Sequence, residues 1–301
     1  MRRVAAALLV LAAAGAQAAD WPDEPLHLSA GIGAAPLARM LAPALAVALG
    51  EPVVIDPPGV AAPEGYGAVI FGTQEVVDAV LGHGNDARAL AALAPVSMVA
   101  RMPLVVLAGP RAGFGSLQGL IEVARHNPNK LAYASSDRPQ EFAAALLFEA
   151  AGIRLMHVPY RGVERAFAAA ASNEVQVVLE TAAAARAAVF GGELVALAVT
   201  SSQRVSGLPM IPTVAEAGLP GFETSVWYAL ALEGPAQPEA VVRLGAALEA
   251  ALAREDVRRR MAFASLLPAP GSAAALAAKL KTDLARWREV RDKAGIERER
   301  P

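Results

Sequence analysis

Apolar positions along the chain fall into two patterns. Short unbroken runs bounded by Gly, Pro, Asp or Asn read as buried strands, and longer stretches with apolar positions three and four apart read as amphipathic helices. Leu26–Ser29 is the first strand, and Pro36–Leu49 is a helix with Leu37, Met40, Leu41, Leu45 and Leu49 near helical spacing. Gly50 is its natural stop. Pro52–Ile55 and Ala68–Gly72 are strands, the latter with Thr73 at its tip. A short helix, Glu75–Leu81, and a loop, Gly82–Asp86, follow. Next come two adjacent apolar runs, Pro95–Ala100 and Pro103–Ala108, separated only by Arg101-Met102. That closeness fits a chain crossing from one lobe to another.

A regular alternation then begins. Helix Ser116–His126, strand Leu131–Ala134, helix Gln140–Ala151, strand Met156–Val158, helix Val163–Ala171, strand Val175–Leu179, helix Ala182–Phe190 and strand Leu194–Val199 succeed one another. Strands alternating with helices of this length predict a mostly parallel sheet covered on both faces. The stretch from Thr200 to Phe222 is rich in turn residues, and strand Thr224–Leu232 returns to the first lobe. Pro238 suits the first position of a helix running to about Leu252. Amphipathic segments Glu255–Phe263 and Ser272–Lys293 finish the chain. The expected plan is two α/β lobes with the second inserted into the first: residues 19–101 plus 226–301, and residues 102–225, joined by two hinge crossings.

Composition narrows the setting. Of the 301 residues 55% are hydrophobic, yet alanine supplies much of this, and no internal run reaches the roughly 18 apolar residues of a spanning helix. Arg2 and Arg3 precede the apolar run Val4–Ala14, and Ala16-Gln17-Ala18 is a small-x-small cleavage site, so residues 1–18 read as a secretory signal peptide. Loss of Arg2 and Arg3 from the 27 Lys+Arg leaves 25 against 29 acidic residues, a net of −4. That balance gives no sign of nucleic acid or of a membrane surface as partner. The absence of cysteine excludes disulfides and thiolate metal sites. A soluble, exported, cysteine-free α/β chain is most simply periplasmic.

Enzyme signatures are weak. Gly31-Ile32-Gly33 follows a strand, but Pro36 stands where the third glycine of a dinucleotide fingerprint belongs. There is no Gly-x-Ser-x-Gly elbow. Ser135-Ser136 sits at a strand end, but no histidine has a sequence context that marks it as the partner base. His27, His83, His126 and His157 are scattered without metal-ligand spacing, and His157 reads as a hydrogen-bonded core residue. No catalytic residue, cofactor or metal is expected. The step that stands out is His157–Gly162, where an apolar run read as a buried strand, Arg154–Pro159, turns at Gly162 into a helix. The free N–H groups and the dipole at such a start suit an anion such as a carboxylate.

Several stretches carry a resemblance. The most specific is Pro212-Thr213-Val214-Ala215-Glu216-Ala217-Gly218-Leu219-Pro220-Gly221-Phe222. Pro63–Tyr66, Ala94–Ser97, Leu131–Ser136, His157–Gly162 and Leu197–Ser201 accompany it in order. From about Trp21 to Ile296 the chain resembles the substrate-binding proteins of tripartite tricarboxylate transporters, the Bug family. The resemblance implies a two-lobed periplasmic binding protein (type II-like) without catalysis, each lobe a mainly parallel sheet flanked by helices. It would be monomeric, close on a small carboxylate and dock on transporter membrane subunits. The residues expected to meet the ligand are Ser29, Ala30, Gly31 and Thr73 in the first lobe. In the second they are Ser135, Ser136, Arg138, Tyr160, Arg161, Gly162, Glu180 and Thr181.

The chain also departs from that pattern. Ser29–Pro36 replaces a longer Pro-Phe-x-x-Gly-Gly loop, and Pro58-Gly59 reaches Pro63-Glu64-Gly65-Tyr66 across only Val60-Ala61-Ala62, where the family has a glycine-rich segment and a helix. Asp137-Arg138-Pro139 replaces a Gly/Thr-rich turn, making Arg138 either a carboxylate clamp or a solvated loop charge. Glu180-Thr181 stands where Asp-Asn is common, so Glu180 either holds a ligand amine or hydroxyl or serves the helix dipole. Trp227 and Tyr228 are read as hinge packing rather than cleft lining. The trimmed loops leave open a divergent protein that partners a sensor ectodomain with altered or lost ligand binding. A hydrolase using Ser135 or Ser136 is the third reading.

Overall fold

The two apolar runs flanking Arg101-Met102 form one continuous strand, and the rest of the chain is arranged on either side of it. The computed structural model describes residues 21–82 and 84–297, so the signal-peptide assignment lies outside the described residues. In chain order the first elements are β1 (Leu26–Ala30), α1 (Ala35–Leu49), β2 (Val53–Ile55), β3 (Gly67–Gly72), α2 (Thr73–Leu81), α3 (Gly84–Ala91) and the crossing strand β4 (Leu93–Ala108). Then follow α4 (Leu117–His126), β5 (Ala132–Ser135), α5 (Arg138–Ala151), β6 (Met156–Pro159), α6 (Val163–Ser172), β7 (Val177–Thr181), α7 (Ala182–Phe190) and β8 (Val195–Val199). The chain ends with β9 (Ser225–Glu233), α8 (Pro238–Ala253), α9 (Glu255–Phe263), β10 (Leu267–Pro268) and α10 (Ala273–Ala294).

The strands run β2-β1-β3-β9-β4-β7-β5-β6, with β8 and β10 also paired to β4. Parallel pairing holds among β1, β2 and β3 and among β5, β6 and β7. The crossing strands differ: β9 is antiparallel to β3 and β4, and β4 is antiparallel to β7, β8 and β10. The mainly parallel sheets expected from the sequence are therefore mixed where the chain crosses. The reason is topological, since a chain that crosses and returns runs in opposite directions on its two passages.

β4 changes partners part-way along. Leu93 to Pro103 pair with β9, and Leu104 to Ala108 pair with β7. Pro103 has no N–H to give to a ladder, and at the next residue a side chain takes over. The buried Thr200 hydroxyl accepts from Leu104 N–H at 3.0 Å and donates to Thr224 C=O at 2.7 Å. The Thr200 backbone bonds Leu104 C=O and Thr224 N–H as well, so one residue ties both crossings together.

Other local rules are obeyed. Gly50, Gly82 and Gly295 end their helices in the left-handed conformation that only glycine adopts cheaply. Ser116, Thr181 and Ser272 cap helix starts through their side-chain oxygens. Two buried clusters pack the faces of the β1–β3 side, one under α1 and α8 and one under α2 and α10, and two more pack the faces of the β5–β7 side. Two local expectations change: Gly84–Ala91 is helix rather than loop at its start, and β6 is an edge strand with Met156 52% exposed, not a buried one. Strand β10, for which the sequence offered no reading, has too few residues to show periodicity.

Thr200→Val should leave Leu104 N–H and Thr224 C=O buried without partners, at about 1–3 kcal/mol each. Urea unfolding is expected to show a loss of about 3 kcal/mol, most of which Thr200→Ser restores. An unchanged midpoint for Thr200→Val would show that the clasp carries no stability.

Candidate functional site

The carboxyl ends of β5 and β7 and the starts of α5 and α7 bring one group of expected residues together. Glu180, 1% exposed, accepts through Oε1 from Thr181 N–H at 2.6 Å and Gln140 Nε2 at 3.1 Å, and through Oε2 from the Ser136 hydroxyl. Thr181 caps α7. Asp137, at the start of α5, remains accessible to solvent, yet partial burial and then the nearby Glu180 charge raise its carboxyl above the usual range.

Ser135 belongs to a different line. Its hydroxyl lies 2.8 Å from His157 Nε2, and His157 Nδ1 lies 3.2 Å from Glu141 Oε1. Arg138 bonds the other Glu141 oxygen at 2.7 Å, and the His157 ring stacks on Tyr133 at 4.8 Å. Register explains the meeting, because Tyr133 and His157 are parallel partners and Ser135 is two residues on, facing the same side. Burial raises the Glu141 carboxyl, but the His157 and Arg138 hydrogen bonds outweigh it and hold it below its usual value. The order hydroxyl–imidazole–carboxylate is also that of a serine hydrolase. Ser135, however, is 3% exposed, and an open cavity of about 850 Å3 beside the line is walled by Tyr133, Arg138, Glu141 and His157 without it. The line braces β5, β6 and α5.

Arg161 and Gly162 sit exposed at the start of α6, with Gly162 at φ 95° and Glu164 in the first helical turn. The Tyr160 hydroxyl donates to Glu174 at 2.9 Å. Tyr160 N–H donates to Ser135 C=O at 3.1 Å, which joins this stretch to the Ser135 line rather than to the Glu180 group.

In the other sheet, Ser29 donates to Glu233 at 2.8 Å and so is tied within the sheet. Ala30 ends β1, and Thr73 Oγ1 accepts from Trp227 N–H at 2.9 Å. Gly31 faces Glu75, whose carboxylate accepts from Ile32 N–H at 2.8 Å and Gly72 N–H at 2.7 Å. Burial raises the Glu75 carboxyl against the pull of those N–H groups. Tyr228 stands beside this loop, its phenol raised by burial, then by the Glu75 and Asp137 charges. Trp227, 1% exposed, packs as expected and donates to Asp283 at 2.8 Å.

Sequence reasoning missed Glu75, Gln140 and Glu141. Glu75 had a readable signal, since Gly72-x-x-Glu75 spaces a carboxylate three residues into a helix, as in a capping box. No local signal places Gln140 or Glu141 against β7 or β6. Among the described residues no group of three or more His, Asp or Glu is placed to hold a metal ion.

A two-sheet α/β architecture gathers polar residues at strand ends on both sides of a shared crossing strand, where proteins of this class of fold bind small molecules. The family model described as "Tripartite tricarboxylate transporter family receptor" matches residues 37–296, and the chain belongs to that family. It is 29% identical over 269 residues to the "UPF0065 protein in tcbD-tcbE intergenic region" of Pseudomonas sp., covering 84% of this chain and 80% of that one. It is 28% identical over 279 residues to Protein BugT of Bordetella pertussis, covering 87% and 84%. A solved R. palustris protein with adipate is 26% identical, with a TM-score of 0.75 over 92% of this chain and 99% of its own.

Because Glu141 is held below its usual value, its ionised form stabilises the fold above the unfolded-chain value of about 4.3 and loses that effect as pH falls through the lower folded value. Glu141→Gln is expected to cost about 2 kcal/mol at pH 7. The gap between the two proteins should narrow as pH falls below about 4.3 and through the lower folded value, read by urea unfolding at pH 7 and in acid. A gap that stays constant with pH would rule out an ionised Glu141 as its source.

Proposed function

We propose that this chain is a periplasmic solute-binding protein that captures a small carboxylate between two lobes and presents it to the membrane subunits of a tripartite tricarboxylate-type transporter. The lobes are residues 19–101 plus 226–301 and residues 102–225, with β4 and the entry to β9 as the hinge. The observation that carries the reading is the crossing itself. Both passages of the chain are clasped by Thr200, and the candidate residues lie at strand ends and helix starts on its two sides. Such a hinge lets a solute that touches both lobes favour the closed form, which a transporter then recognises. The R. palustris relative solved with adipate supports a carboxylate as the solute class.

Export rests on the signal-peptide pattern, and among the described residues no helix is long and apolar enough to cross a membrane. The protein acts as a monomer in this reading, and without catalysis, since the Ser135 hydroxyl is buried against His157. Mature protein screened by thermal unfolding against di- and tricarboxylates, amino acids and aromatic acids is expected to be stabilised by at least one class. At 100 times its dissociation constant a solute should add about 2.7 kcal/mol. A folded protein indifferent to the whole panel would refute capture. Retention of a membrane or sensor partner regardless of solute would point instead to a scaffolding role.

A further inference from the structure

Backbone donors in the β1–α1 loop and at the start of α2 are suited to a solute carboxylate, but they already hold one. Glu75 Oε1 takes Ile32 N–H and Oε2 takes Gly72 N–H, at 2.8 and 2.7 Å. The fit depends on Gly31, where a Cβ would stand 2.1 Å from Glu75 Oε1. Glu75 is thus seated in the loop as a bound carboxylate would be, tethered by its own side chain.

The wall across the lobe boundary is acidic too. Helix α5 packs against α2, and its start carries Asp137 over the buried Glu180. The hydrogen bonds that hold Glu75 and Glu180 come from neutral donors, namely backbone N–H groups, the Ser136 hydroxyl and the Gln140 amide. Gln140 Oε1 is buried with no donor among the described residues. Tyr228, beside Gly33, lies within the field of both Glu75 and Asp137. This region therefore has acceptors and negative charge to spare, and the Ile32 and Gly72 N–H groups are already taken. A second carboxylate would meet repulsion here, and an ammonium would meet attraction.

We propose that Glu75 is a built-in substitute for one solute carboxylate, so that the solute has a single carboxylate, received in lobe 2, and an amino group at its other end facing Glu75 and Asp137. In lobe 2 the carboxylate is assigned to the exposed Arg161 and the N–H groups at the start of α6 behind Gly162, a turn that also carries Glu164. This inference rests on the carboxylate-capture reading and narrows it.

The test uses three six-carbon probes that differ only at one end: hexanoate, adipate and 6-aminohexanoate, titrated calorimetrically into mature protein. Wild type is expected to bind 6-aminohexanoate at least about tenfold more tightly than adipate, with hexanoate between them. Glu75→Ala frees Ile32 and Gly72 N–H, so adipate should gain about tenfold and 6-aminohexanoate should lose as much. Glu75→Gln keeps a side-chain oxygen on those donors without the charge. It should lose the preference for 6-aminohexanoate without gaining adipate. The wild-type comparison decides the matter even if a variant does not fold. Equal affinity of wild type for adipate and 6-aminohexanoate overturns the role of Glu75 and leaves carboxylate capture standing. Binding of none of the three to any form overturns the role of Glu75, and carboxylate capture is then judged on the wider panel.

Discussion

The structure depends on how one strand satisfies its backbone in two sheets. β4 is buried along most of its length, so every N–H and C=O on it needs a partner on both sides of the crossing. A proline at the changeover removes one donor, and a threonine from the β8 end supplies hydrogen bonds to the next residue and to the returning chain. Because Thr200 serves both passages, β4 and β9 cannot separate at the boundary without exposing polar groups that have no other partner. That makes the boundary the point at which the two passages of the chain are tied to one another.

The ends of the strands show how similar backbone geometry can be put to different uses. On the β5–β7 side, the buried Glu180 is wrapped by a hydroxyl, an amide and a backbone N–H, all of them neutral donors. A few residues away Glu141 is held by Arg138 and His157, and its titration is shifted the opposite way from those of Glu75 and Asp137. Proximity to cations, rather than depth alone, separates these carboxyls.

Much of the architecture was legible in the sequence because the signals are local. The apolar runs on either side of Arg101-Met102, the αL glycine at position 50, and the helix from Ala182 to Phe190 each depend on a few neighbouring residues. The mixed sheet was less legible, since alternation predicts parallel neighbours and says nothing about strands that change lobe. β10 has two residues and no period. At the site, Glu180 and Thr181 could be picked out as strand-end residues. The contact of Ser135 with His157 required the register of β5 on β6, and His157 alone gave no sign of it. Glu75 was overlooked because an acid in a first helical turn ordinarily serves its own helix, whereas here it also reaches a loop 43 residues earlier.

Helix α10 belongs by sequence to the returning segment, yet it touches both sides of the boundary. Trp287 lies edge-on to Phe142 of α5 at 5.9 Å, and Lys293 reaches Glu149 of the same helix at 2.6 Å. It is a strut between the two halves, beside the hinge rather than within it. The aromatic contact, worth about 1 kcal/mol, resists any rotation that slides α5 past α10. The contact thus favours this arrangement over any in which α5 has slid past α10. A solute that favours another arrangement of the halves must overcome this contact, and one that favours the present arrangement gains from it.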